Sequence, residues 1–136
     1  MSGEAKVRMS RRYISLIKVL NGRLSHFPSH EQRGLALVIR TKAYLLCDHM
    51  VEAQKRFHKG TPLNNLDIAH EQLRMHLLTA KELGYFKHPA KSGYAPDMLN
   101  DLRHQRLTTL VDEFGQLIGG WQKKIREEKR LKEGQQ

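Results

Sequence analysis

The chain has 136 residues, 24 Lys and Arg against 14 Asp and Glu, a net charge of +10, 39% hydrophobic residues and one cysteine. That length fits one compact domain. The apolar fraction excludes a wholly disordered chain, and the lone Cys47 excludes both an intrachain disulfide and a cysteine-based zinc site. No apolar run approaches the roughly 20 residues of a membrane span, and residues 1–12 lack the apolar stretch of a signal peptide, so the expected location is the cytoplasm, with no membrane partner.

Apolar spacing predicts helices throughout. Residues 1–10 read as a basic N-terminal extension. Helix one is expected over about Arg11–His26, with Tyr13, Ile17, Leu20 and Leu24 on one face and Pro28 as its stop. Helix two is expected over about His30–His58, with Ser29 as N-cap. Leu35, Val38, Ile39, Leu45, Leu46, Met50, Ala53 and Phe57 form a broad stripe, and Gly60 is the terminator. Helix three is expected to begin with Thr61 as N-cap and Pro62 at the first helical position, and to run through Leu66, Ala69, Leu73, Leu77 and Ala80 to a stop at Gly84. Residues 85–94, with Pro89 and Gly93, read as a loop. Helix four is expected from Pro96–Asp97 through Leu99, Leu107, Phe114, Ile118 and Trp121 to about Arg126, with 127–136 as a charged tail. The fold class that follows is all-α: an antiparallel up-down four-helix bundle over residues 11–126.

Gly115, Gly119, Gly120 and Trp121 form the most unusual stretch. Each glycine inside a helix costs about 0.5–1 kcal/mol relative to alanine, and small residues four apart permit a close helix approach. The approach is either to another helix of the same protomer or to a second subunit.

Asp67-x-x-His70 and Asp101-x-x-His104 echo the carboxylate-x-x-His element of di-iron bundles. Helix one supplies no acid and helix two only Asp48 and Glu52, so the carboxylates that such a metal centre requires are missing. Cys47 lies among leucines, and neither a phosphate-cradling glycine loop nor a nucleophile elbow occurs. The chain reads as a non-enzyme with no cofactor.

A surplus of positive charge attracts polyanions. Arg33 and Arg40 lie seven apart on helix two, Arg74 and Lys81 seven apart on helix three, and Arg103 and Arg106 three apart on helix four. Each pair is expected to align on one stripe. Lys123, Lys124 and Arg126 add charge near the end. These nine residues are the candidate contacts to nucleic acid or to a partner that carries it.

Leu73-Arg74 through Ala80-Lys81-Glu82-Leu83-Gly84, and above all Glu113-Phe114-Gly115-Gln116-Leu117-Ile118-Gly119-Gly120-Trp121-Gln122-Lys123-Lys124, resemble the accessory variability proteins of diversity-generating retroelements. These are relatives of the four-helix proteins of ribosomal RNA intervening sequences. The resemblance implies a homopentameric barrel of four-helix protomers, with no catalytic residues. It implies binding to the element's reverse transcriptase and to RNA or DNA during mutagenic copying, with Arg74 carried over as a basic contact. The alternative is the ribosomal branch; a neighbouring reverse-transcriptase gene with template and variable repeats separates the two.

Overall fold

The computed structural model describes residues 1–134. Among them are four α-helices and no strand: α1 (Gly3–Leu24), α2 (Leu35–Lys55), α3 (Gly60–Glu82) and α4 (Pro96–Gly134). α2 packs on α3, α3 on α4, and α1 on both α4 and α2, while the backbones of the diagonal pairs stay apart, so the helices stand at the corners of a square. Cross-links give the directions. Tyr13 donates to the Ala43 carbonyl at 2.9 Å and Arg40 to Asn21 Oδ1 at 3.3 Å, which runs α1 and α2 opposite ways. His70 to Val111 and Lys81 to Asp101 do the same for α3 and α4. No helix of the described chain is long and apolar enough to cross a membrane.

The core consists of one face from each helix: Met9, Tyr13, Leu16 and Leu20; Ile39, Leu46 and Met50; Leu66, Leu73 and Leu77; Leu107, Val111, Phe114 and Ile118. Burying each such side chain is worth about 1.5–3 kcal/mol before the entropy of ordering it is subtracted.

Several boundaries differ from the sequence expectation; α3 already includes Gly60, so Thr61 lies inside the helix and is not its N-cap. The extension expected over residues 1–10 is instead the start of α1. Ser2 caps it by accepting from the Ala5 N–H at 3.1 Å, and Met9, fully buried, extends the Tyr13–Leu20 stripe by one turn. The helix expected from His30 begins only at Leu35. Residues 29–31 form a 3₁₀ turn, and the Glu31 carboxylate packs on Gly34 and accepts from the Leu35 N–H at 3.4 Å. At its far end α2 stops at Lys55 and leaves Phe57 86% exposed. Gly60 does not terminate it. Lys59 does: its Nζ donates to the carbonyls of Ala53, Gln54 and Arg56 at 2.8, 3.3 and 2.7 Å, satisfying oxygens that the helix end leaves free.

Gly84 closes α3 as the spacing predicts. Its φ of +76° suits glycine, its N–H reaches the Lys81 carbonyl at 2.9 Å, and the Tyr85 N–H reaches Ala80 at 3.0 Å. The following segment docks on α4 through Asn100, which accepts from the Phe86 N–H at 3.0 Å and donates to the Lys81 carbonyl at 2.9 Å. The buried Phe86 ring meets Phe27 at 5.5 Å and His104 at 6.1 Å.

Burial first, and then the neighbouring Lys81 charge, hold the His104 imidazole below its ordinary value. The fold therefore favours the neutral ring. Stability should be complete above the unfolded value of about 6.5 and should decline as pH falls below it. Urea midpoints measured across that range should show the decline, and His104→Gln should flatten it; a midpoint independent of pH in wild type would contradict the assignment.

Residues 127–134 of the expected tail continue α4 as exposed helix; Gln135 and Gln136 lie outside the described residues. Trp121 is the last fully buried side chain of α4, so the charged end of the helix projects past the bundle.

Candidate nucleic-acid interface

The nine basic candidates separate into groups of different standing. Arg33 is exposed but sits in the turn before α2, so it does not share a helix face with Arg40. Arg40 lies on α2 beside Asn21. Arg74 ties α3 to α4: it pairs with Asp112 and, at 3.4 Å, with Glu71. Lys81 is 3.8 Å from both Glu82 and Asp101. The expected α3 stripe of Arg74 and Lys81 is thus matched locally by carboxylates, and little of its charge is left for a distant polyanion. Lys123, Lys124 and Arg126 are exposed on the projecting part of α4.

Arg103 and Arg106 are placed differently. They form one wall of a groove of about 470 Å³ between the C-terminal half of α1 and the first turns of α4. Arg23 faces them from α1, and Lys91 enters from the loop ahead of α4. The floor is aliphatic, from Val19, Leu99 and Leu102, and Tyr94 stands at the edge with Lys91 Nζ 4.8 Å from its ring centroid. No carboxylate lines this groove. Among the described residues, none forms an ion pair with any of the four cations.

The groove is electrostatically unsatisfied. Arg103 donates to the Phe86 carbonyl at 3.0 Å. One terminal nitrogen of Arg23 is shielded from solvent and has no acceptor. Burial, and then the like charge of Arg103, lower the proton affinity of the Arg23 guanidinium below its ordinary value. A shielded donor without a partner is costly, and like charges held together raise that cost. An incoming anion offsets the like-charge repulsion.

The sequence alone does not single out Arg23, Lys91 or Tyr94. Arg23 and Arg103 lie on different helices, and periodicity within a helix carries no information about register between helices. The one signal is the presence of Lys91 among basic loop residues.

The glycine segment divides as well. A Cβ on Gly115 would lie 2.7 Å from His70 Cε1 and 2.8 Å from its Nε2. The missing side chain therefore makes room for the His70 ring, which is 4% exposed and bonds the Val111 carbonyl through Nε2 at 2.8 Å. A carbonyl only accepts, so Nε2 carries the proton in this arrangement. Gly115 thus serves a contact within the protomer. Trp121 does too: it is 4% exposed, and Lys59 Nζ stands 5.9 Å from its ring centroid. Gly119 and Gly120 differ, because a Cβ on either would meet nothing within 4 Å. Among the described residues no group of three or more His, Cys, Asp or Glu side chains is arranged to hold a metal ion. Comparison of the chain with protein-family models, with curated proteins and with solved structures finds no match.

Proposed function

We propose that this protein is a non-catalytic accessory factor of a diversity-generating retroelement that binds the element's reverse transcriptase and nucleic acid and so supports mutagenic cDNA synthesis. The observation that carries the nucleic-acid part is the acid-free groove, in which Arg23, Lys91, Arg103 and Arg106 converge on a chain of net charge +10. The retroelement part rests on the resemblance of residues 113–124.

Self-association is part of the same reading. The broad apolar stripe of α2 is wider than the core uses: Leu37, Val38, Tyr44, Leu45 and Val51 remain exposed, with Ile68, Met75 and Leu78 exposed on α3. Apolar surface of that extent on a small domain supports contact with further copies. A ring of five follows from the resemblance. A ring multiplies the cationic grooves, so binding to a long polyanion becomes multivalent.

The test is twofold. Light scattering at micromolar concentration should give a closed oligomer; a monomer mass would overturn the assembly. A pull-down with the element's reverse transcriptase should retain it, more weakly as salt rises. Failure to bind that enzyme at low salt would remove the retroelement reading.

A further inference from the structure

We propose that the groove between α1 and α4 is a binding site for single-stranded nucleic acid, with backbone phosphate held by Arg23, Arg103 and Arg106 and a base resting on Tyr94 and the aliphatic floor. This site rests on the nucleic-acid part of the reading above and is independent of the retroelement assignment.

Three properties of the groove select this occupant. The first is charge. Four cations converge with no carboxylate among them, so a polyanion is attracted without local competition. Second comes the guanidinium chemistry. Arg23, Arg103 and Arg106 line one groove, and among the described residues none of them pairs with a carboxylate. Phosphate oxygens accept from planar guanidinium groups in a paired geometry that a point charge does not offer.

The third is the mixture of surfaces. Val19, Leu99 and Leu102 give an aliphatic floor, and Tyr94 beside them is 41% exposed. A duplex presents phosphates and keeps its bases stacked inside, so it would leave this floor and ring uncovered. A single strand offers both a phosphate and an unstacked planar base within one nucleotide. An acidic protein surface would satisfy the cations but leave the ring and floor without a planar partner. The volume of about 470 Å³ lies in the range of sites that enclose a small planar ligand.

The side-chain partners within the groove predict an unusual pairing of effects. Arg23 makes no ion pair that a substitution could break, and removing its charge relieves its repulsion with Arg103. Arg23→Gln should therefore leave the melting temperature unchanged or raise it while weakening binding. A side chain with a merely structural role would do the opposite.

The probe is a fluorescently labelled oligouridylate of about 15 nucleotides, compared with an RNA duplex of the same length, by anisotropy across a salt series. Wild type should bind the single strand more tightly than the duplex. Arg23→Gln combined with Arg106→Gln should weaken single-strand binding about tenfold or more and flatten the log–log salt slope by about 0.7 for each phosphate no longer neutralised. Tyr94→Ala should weaken it about tenfold and leave that slope unchanged, because stacking releases no counterions. The control Lys123→Gln with Lys124→Gln, on the projecting end of α4, should affect the two probes equally. Arg106 is exposed and anchors nothing, so its variant tests the groove even if changes at Arg103 disturb the hydrogen bond to the Phe86 carbonyl.

Equal affinity for strand and duplex would overturn the site, as would groove variants that bind like wild type while the Lys123/Lys124 variant loses binding. In both cases the broader nucleic-acid reading survives. Absence of oligonucleotide binding by wild type, with groove variants that lose the reverse transcriptase in a pull-down, would make an acidic protein surface the occupant and overturn the single-strand assignment.

Discussion

Phe114→Ala is expected to lower the unfolding free energy by about 3–5 kcal/mol. Phe114 is fully buried where three helices meet: its ring lies 6.0 Å from Tyr13 of α1 and 6.4 Å from His70 of α3. Truncation removes the transfer energy of the ring and leaves a cavity that helices held on two sides cannot collapse into. A domain of this size is stable by about 5–15 kcal/mol in total, so the loss takes a large share. In thermal unfolding it should appear as a drop on the order of 10 °C. Phe114→Leu should retain more than half of the lost stability. A change in the alanine variant below about 1 kcal/mol would show that the three helices do not converge on this ring.

The second large effect concerns two glycines one turn apart. Gly115→Ala forces a methyl group against the His70 imidazole, which must move and release the Val111 carbonyl. Overpacking of this kind costs about 1–3 kcal/mol, and the broken hydrogen bond about 1 kcal/mol more. The gain in helix propensity returns at most about 1 kcal/mol. The net expectation is a loss of about 2 kcal/mol. Gly119→Ala meets open space, so it should stabilise the isolated protomer by up to about 1 kcal/mol. Urea unfolding of the two variants side by side reads the difference. If a second subunit packs closely on Gly119, the same alanine will stabilise the protomer and loosen the oligomer, which light scattering would register as dissociation at a higher protein concentration. Destabilisation by Gly119→Ala without any change of mass would contradict the open surroundings of that residue.

These two glycines show what a sequence can and cannot say. Their spacing of four suggests one shared close approach. The structure gives them separate roles, because the ring that fills the space at Gly115 belongs to His70 on a different helix. His70 and Gly115 each look anomalous alone, a histidine on an apolar stripe and a glycine in a helix; the two anomalies explain one another once register is known. Helix number and the ends marked by Pro28 and Gly84 are legible in the sequence, because backbone chemistry acts locally there; the Thr61–Pro62 signal misses the start of α3 by two residues. The start of α1 is not legible, because the few apolar residues there stand among charges and the burial of Met9 depends on neighbours far along the chain. The end of α2 is not, because it depends on Lys59 folding back over three carbonyls. The same division holds for the basic candidates. Abundance of charge is readable, but the pairing of Arg74 with Asp112 and the convergence of Arg23 with Arg103 are products of packing.

The length of α4 sets two timescales within one helix. Its 39 residues extend about 58 Å, against about 32–35 Å for each of the other three. Up to Trp121 the helix is anchored by buried side chains, so its backbone hydrogen bonds are expected to open only with the bundle. Beyond Trp121 only Ile125 still rests partly on the core, and a helix of so few turns is marginal in water. The amide hydrogens at the end of α4 are therefore expected to exchange faster than those of its packed part, which residue-resolved hydrogen exchange would read. The cations on that arm stand on exposed helix clear of the bundle, while those in the groove converge between two helices: on the reading proposed above, the arm would meet a polyanion first and the groove would hold one of its nucleotides.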